Sequence, residues 1–456
     1  MEQIQKTENK FANWLKTSAT VRMIMVGFLT LILLIPLSFI ESLIFERQMR
    51  QEEVVREINS KWGEEVLLYG PILKIPYKTY TKVYKEDKET KEGYFLREAK
   101  INYLYVFPNK LDNKAELFPD VKKRGMYSSV IYTGKMGISG NFTKPDLSVF
   151  DLKDEDVVWE KSKIIFQTSN LKNINNKIGI KMNKHKYIFM PKYSNKQVGE
   201  YQEIAMNSLE TKTLKLSDVP DSASVNFSID IDFNGSKQIR IIPIGEETTM
   251  NIKADWDSPK FTGNYLPYNP DKLTETSFDA KWKVLNINRS FAQLYSNQIP
   301  NLQEYAFGVE LILPIDQYQQ SMRTAKYGYL VIALTFLVFF LFQSISKVNI
   351  HPFQYLMIGV ALTMFYTLLL SISEHSNFLI AYLIAGLSVI VLITFYSKSI
   401  LKQWKFTLLI STSLTALYTF IYVIIQLENY ALLVGSIGLF LILAAVMYAS
   451  RKIDWK

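Results

Sequence analysis

The residues that could do chemistry are few. The 456-residue chain has three histidines and no cysteine, which removes disulfides, thiolate nucleophiles and Cys-ligated metals and leaves little scope for imidazole catalysis. The sharpest polar cluster is Ser373-Glu374-His375, a carboxylate and an imidazole set between two long apolar runs. At the mouth of a membrane span such groups could relay a proton, bind a polar ligand or touch a soluble domain. A wet loop is the alternative. Adjacent helical residues do not face each other, so a direct Glu374–His375 pair requires the helix to have ended. His351 precedes Pro352, a residue suited to the first turn of a helix because it needs no amide partner there. Interfacial capping or headgroup contact is the reading of His351, with a functional role as the alternative. His185 sits among lysines and Asn183 and reads as part of a solvated turn.

Carboxylates are plentiful, and Asp230, Asp232, Asp255, Asp257 and Glu310 are the sole warrant for a hydrolase or transferase. Strand alternation already explains Asp230 and Asp232. No Gly-rich phosphate loop, His-Glu-x-x-His run or Gly-x-Ser-x-Gly elbow is present in a supporting context. No catalytic residue, metal ligand set or cofactor is expected. The net charge of +9 does not point to nucleic acid, because the soluble section mixes its lysines with Asp and Glu and shows no Lys/Arg run interleaved with aromatics.

The elements that must position these groups are mostly apolar. Five uncharged runs, Tyr327–Ser346, Pro352–Ile372, Ser376–Ser397, Phe406–Leu427 and Asn429–Ser450, follow one another with their charges in the joints. About 20 apolar residues at 1.5 Å rise match a hydrocarbon core of about 30 Å, so the region 326–450 is a five-helix membrane bundle. A further span occupies 23–45, too long for a signal-peptide core and followed by no small-residue cleavage site. One span before the soluble section and five after it put both termini on one side. Lys6, Lys10, Lys16, Arg22, Lys347, Lys398, Lys402, Lys405, Arg451 and Lys452 assign that side to the cytoplasm by the positive-inside rule. Segments 1–22 and 451–456 are then cytoplasmic, and 46–320 lies outside the inner membrane. In a bacterium with two membranes that is the periplasm.

The soluble section reads as strands. Val225, Phe227, Ile229, Ile231 and Phe233 alternate with polar residues, and Asn234-Gly235 follows, which predicts a half-buried strand and a tight hairpin to Ile239–Ile244. Lys82–Gly93 reads as a hairpin loop or an insertion. The expected class is a mixed membrane protein with six transmembrane helices and a large, mainly antiparallel, sandwich-like β domain. A division into two subdomains near Thr211–Ser224 is left open.

The chain resembles the CreD family of bacterial inner membrane proteins. The likeness rests on Ile35-Pro36-Leu37, Gly70-Pro71-Ile72-Leu73, Arg124-Gly125-Met126-Tyr127, Gly308-Val309-Glu310, His351-Pro352-Phe353-Gln354-Tyr355, Ser373-Glu374-His375, Leu432-Leu433-Val434-Gly435-Ser436 and Arg451-Lys452-Ile453-Asp454-Trp455. It implies an inner membrane protein linked to envelope integrity and stress tolerance, with no reaction attached and no catalytic residue to carry over. The leading expectation is a non-enzymatic protein in contact with membrane lipids, whose outer domain binds an envelope protein or cell-wall component. Lipid or small-molecule handling by the six helices is the alternative, hydrolysis or transfer a lesser one. His351, Ser373, Glu374 and His375 are the candidate functional residues at the membrane boundary. Oligomeric state is left open.

Overall fold

The computed structural model describes residues 19–86, 93–192, 205–313, 317–346, 348, 350–401, 403–427 and 430–451. Two compact units divide the chain, one of Met1–Glu53 with Ile315–Lys456 and the other of Val54–Pro314.

In the first unit six helices are long and apolar enough to cross a membrane, counted among the described residues. Helix α1 (Ala19–Trp62) runs unbroken through Pro36 and continues past the apolar run to Trp62. It ends where the Gly63 amide bonds the Asn59 carbonyl at 2.7 Å. Helix α2 (Gln317–Lys326) is short and turns Tyr318, Ser321, Thr324 and Ala325 inward. The spans α3 (Gly328–Ser346), α4 (Pro352–Ser373), α5 (Phe378–Leu401), α6 (Trp404–Gln426) and α7 (Ala431–Ser450) follow. Interior contacts are aromatic: Phe365 packs against Tyr366, Tyr382 and Tyr418 at 4.6–5.2 Å between ring centres. Helix α7 has no buried residue, which is tolerable where hydrocarbon is the solvent.

Among the described residues the second unit is built on a 15-stranded sheet. Its strands are β1 (Val66–Glu86), β2 (Gly93–Val106), β3 (Lys110–Arg124), β4 (Tyr127–Phe142), β5 (Lys163–Thr168), β6 (Gly179–Met182), β7 (His185–Lys192), β8 (Asn207–Thr211), β9 (Val225–Ser236), β10 (Gln238–Ile241), β11 (Glu247–Ala254), β12 (Pro259–Thr262), β13 (Phe278–Leu285), β14 (Leu294–Ser296) and β15 (Phe307–Leu311). The main order is β12-β15-β10-β1-β5-β8-β7-β6-β9-β4-β3-β11-β13, with β2 on β1 and β14 on β2. Pairing is antiparallel except between β1 and β10 and between β3 and β11. The strand β7 joins two parts of the sheet: its first half, residues 185–188, pairs with β6 and its second half, residues 189–192, with β8. The buried faces of the sheet share one continuous core containing Ile72, Leu104, Tyr132, Phe166, Ile229, Trp282 and Phe307. The passage Thr211–Ser224 lies within this one unit.

Strand β9 buries Val225, Phe227, Ile229, Ile231 and Phe233, as the alternation predicts. The Asn234-Gly235 step is not a hairpin, because β9 continues to Ser236 and pairs with β4, while β10 pairs with β1 and β15. Gly235 is there for a tertiary reason. It lies across from Tyr132, and a Cβ at that position would come within 2.4 Å of the ring. The positive φ falls instead on Lys237, at 62°, where the chain passes from β9 into β10.

The described residues of Lys82–Gly93 are strand rather than loop: Lys82–Glu86 close β1 and Gly93 opens β2. Beyond Tyr77, β1 has left β5, and β1 and β2 continue as a two-stranded ribbon from Lys78↔Ile101 out to Glu86↔Gly93. Residues 87–92, which follow β1 in sequence, lie outside the described residues.

Candidate functional site

In the membrane unit Glu374 sits where three elements meet. Helix α4 ends at Ser373, and Glu374 caps it in helical geometry with its amide on the Leu370 carbonyl at 3.2 Å. The chain then turns through His375 and Ser376 to Asn377, whose side chain accepts from the Ile380 amide at 2.9 Å and starts α5. A carboxylate at a helix C-terminus faces the negative end of the helix dipole and calls for compensating partners. Two are present. The Tyr318 hydroxyl of α2 donates to Glu374 Oε1 at 3.3 Å, and Arg47 Nε of α1 lies 3.7 Å from the same oxygen. The Glu374 side chain is only 13% exposed.

The structure separates the other predicted site residues from this carboxylate. Ser373 is buried and donates to the Leu370 carbonyl at 2.9 Å, which satisfies it within its own helix. His375 is exposed on the turn, so Glu374 and His375 do not form the direct pair. His351 is the N-cap of α4: its Nδ1 accepts from the Phe353 amide at 3.2 Å, and its own amide donates to Gln354 Oε1 at 2.8 Å. This reciprocal capping box has an imidazole in the place usually taken by Ser or Thr. The sequence shows the cap but not Arg47 or Tyr318, which reach Glu374 only through tertiary contact.

Within the same unit a cleft of about 840 Å³ opens between α3, α6 and α7. Leu334, Phe339, Phe406, Phe420, Ile442 and Ala445 are among its lining, and Thr335 and Ser413 are its polar side chains. Neither Glu374 nor His375 borders it. Two of the four hydroxyls in the Ser411–Thr415 run are tied to their own helix: Thr412 bonds Leu408 and Leu409, and Thr415 bonds Ser411. The cleft suits hydrocarbon better than a polar solute.

In the β unit two polar clusters stand out. His185, read from sequence as part of a solvated turn, opens β7 beside that turn, and its Nδ1 lies 2.8 Å from Oδ2 of the fully buried Asp218. Tyr187 donates to the same oxygen at 2.5 Å and Asn183 to Oδ1 at 3.1 Å. Burial works against the charge on Asp218, but the hydrogen bonds from Tyr187, Asn183 and His185 outweigh it and hold the carboxyl below its usual range. Burial and the Asp218 carboxylate push the Tyr187 phenol up to about 12. A histidine oriented by an aspartate is half of a nucleophile-activating triad, but among the described residues no hydroxyl is hydrogen-bonded to its other nitrogen, and the cluster reads as a staple. It ties the β6–β7 hairpin to the turn Leu216–Asp218.

The second cluster surrounds Glu210. Lys74 approaches it at 3.2 Å, Lys192 at 2.8 Å and Lys163 at 3.8 Å. Lys74 is buried under the Tyr103 ring, 4.3 Å from its centre, and burial lowers its pKa against the pull of Glu210. Burial would raise Glu210, yet its lysines bring it below the usual range. The carboxylates singled out in the sequence are scattered. Asp230 faces Lys181 at 3.9 Å, and Glu310 lies between Lys237 and Lys260. Among the described residues no three His, Asp or Glu side chains gather as a metal cradle.

Six membrane-length helices and a large β unit inserted after the first of them define a multi-pass membrane protein with a substantial domain outside the bilayer. The chain belongs to the CreD family: residues 18–456 match the family described as inner membrane protein CreD. It is similar to inner membrane protein CreD of Escherichia coli (strain K12), with 27% identity over 430 residues covering 93% of this chain and 91% of that protein. It is therefore a multi-pass inner-membrane protein, and its large β domain is periplasmic.

Proposed function

We propose that the protein supports envelope integrity without catalysing a reaction, by holding its periplasmic β domain at the inner membrane to bind an envelope component. The observation that carries this reading is the β1–β2 ribbon. Among the described residues its strands from Lys78 outward pair only with each other, and Tyr80, Tyr84, Phe95, Leu96 and Ile101 are exposed. A lone two-stranded ribbon is marginal in water, and unpaired strand edges with exposed apolar side chains mark a surface that meets a partner. The test replaces Thr79–Lys100 by an Asn-Gly turn joining Lys78 to Ile101. The full-length variant should accumulate in the membrane with unchanged hydrogen exchange in the remaining strands, yet lose its crosslinked envelope partner and its support of envelope stress tolerance. Full function in the shortened, folded protein would sink the reading.

The apolar cleft between α3, α6 and α7 favours a second reading, lipid handling by the membrane unit. An Ala445→Trp variant in bilayers with brominated acyl chains reports on it. Strong quenching of the introduced indole together with altered lipid turnover in cells supports lipid handling, and an unquenched indole opposes it.

A further inference from the structure

The ribbon has two unlike sides. Side chains two apart on a strand share a side, and directly paired residues of an antiparallel ribbon share one as well. The register therefore places Lys78, Tyr80, Lys82 and Tyr84 of β1 together with Phe95, Arg97, Ala99 and Ile101 of β2. This side alternates cations and aromatics on β1, adds a phenylalanine and an arginine on β2, and holds no carboxylate among these residues. The opposite side, Thr79, Thr81 and Val83 with Leu96, Glu98 and Lys100, is mixed. On the basic side the Arg97 guanidinium lies 5.5 Å from the centre of the Tyr80 ring, and Tyr84 meets Phe95 edge to face at 5.5 Å. Tyr80 and Tyr84 are at least half exposed and Phe95 is 70% exposed.

The same side continues inward along the sheet. Tyr103 pairs with Pro76 and Tyr105 with Lys74 on β2, while Lys163 pairs with Lys74 on β5. Glu210 and Lys192 follow on β8 and β7. Around Glu210 three lysines answer one carboxylate, an excess of positive charge at the foot of the ribbon. At about 3.3 Å per residue, Lys74 to Tyr84 is a strip roughly 30 Å long. It is narrow, and cations and rings alternate along it.

We propose that this strip is the binding surface for a linear, negatively charged glycan chain of the envelope, its acidic groups on Lys78, Lys82, Arg97, Lys163 and Lys192 and its sugar rings on the exposed aromatic faces. The proposal rests on the reading of the ribbon as the partner surface and names the partner's chemistry. Charge complementarity requires a polyanion. The rings require a partner with flat apolar faces at intervals. Two-stranded ribbons twist more than wide sheets, so the strip winds as it runs outward. A planar bilayer touches such a strip over only part of its length, whereas a flexible chain can follow it. Basic and aromatic alternation also suits single-stranded nucleic acid, but the domain is periplasmic. Lys78, Tyr80, Lys82 and Tyr84 alternate within β1 itself, but only the strand geometry puts them on one side, and only the pairing sets Phe95 and Arg97 beside them.

The test is binding of the detergent-solubilised full-length protein to polygalacturonate, a linear carboxylate-bearing glycan, and to isolated cell-wall sacculi. Neutral dextran and vesicles containing anionic phospholipid are the comparison ligands. Lys82→Glu/Arg97→Glu should weaken polygalacturonate and sacculus binding by about tenfold or more at low salt, and Phe95→Ala/Tyr84→Ala should weaken it at unchanged charge. The charge-matched control Lys114→Glu/Lys135→Glu on β3 and β4 should change it by no more than about threefold. An equal loss in the control shows general charge attraction and overturns the proposal, as does preference for the vesicles or no glycan binding at all. If the strip variants bind glycan as the wild type does but the shortened ribbon still abolishes envelope function, the glycan assignment fails while the ribbon remains the partner surface.

Discussion

Arg47 Nε lies 3.7 Å from Glu374 Oε1, so the far end of the first span's apolar run is tied to the turn between α4 and α5, although the entire β domain separates them in sequence. The carboxylate closes α4 against the helix dipole, and Arg47 with Tyr318 makes that position tolerable. Arg47→Ala leaves a largely buried carboxylate with one neutral donor and should cost about 1 kcal/mol, read as a fall of a few degrees in the unfolding temperature in detergent. Glu374→Gln keeps an acceptor for Tyr318 without needing a cation and should cost less. His375→Ala should leave stability unchanged. A proton relay predicts the reverse, with His375→Ala as harmful to function as Glu374→Gln.

At the opposite end of the same span, His351 caps α4 through Nδ1. His351→Ala removes the cap and should destabilise the membrane unit by about 1 kcal/mol, while His351→Ser, a better capping residue, should restore it. Thermal unfolding of wild type and both variants in one detergent distinguishes capping from chemistry: a role for the imidazole itself leaves His351→Ser impaired.

Asp218 is held below the usual carboxylate range in the fold. A carboxyl whose folded pKa is depressed stabilises the native state above its unfolded value, about 3.9, and that contribution fades as pH falls through the folded value. The protection of β6 and β7 amides, taken relative to their intrinsic exchange rates, should therefore fall below about pH 4 in the wild type. Asp218→Asn should be less protected at neutral pH and lose this particular acid dependence. Unchanged exchange in the variant would remove the staple.

Glu210 faces three lysines, and Lys74 is buried beside it. Glu210→Gln strands that ammonium and should cost about 3 kcal/mol, with much of the loss recovered in Glu210→Gln/Lys74→Met. Additive losses in the double variant, measured by denaturant unfolding of the full chain, would mean that the two side chains are not coupled.

The spans were legible because a bilayer imposes one requirement on every residue in a run: α3 to α7 begin and end within a few residues of the apolar runs. Strand β9 was legible for a related reason, since one wet face and one dry face force alternation. The Asn234-Gly235 turn failed as a prediction because local φ freedom serves close packing as readily as a hairpin, and the Tyr132 ring claims Gly235. Lys82–Gly93 hid its strands because the ribbon packs neither side into the core, and without burial there is no apolar period to read.

The membrane spans, their orientation and the β character of the outer domain all follow from residue order alone, because each sums a preference for one solvent over many positions. Which side chains meet is a matter of packing. Arg47 and Tyr318 on Glu374, His185 on Asp218, three lysines on Glu210, and the strip assembled from β1 and β2 all join residues distant in sequence. Such contacts depend on register and helix packing, and one residue of slip in a strand would turn every cation of that strand to the other side.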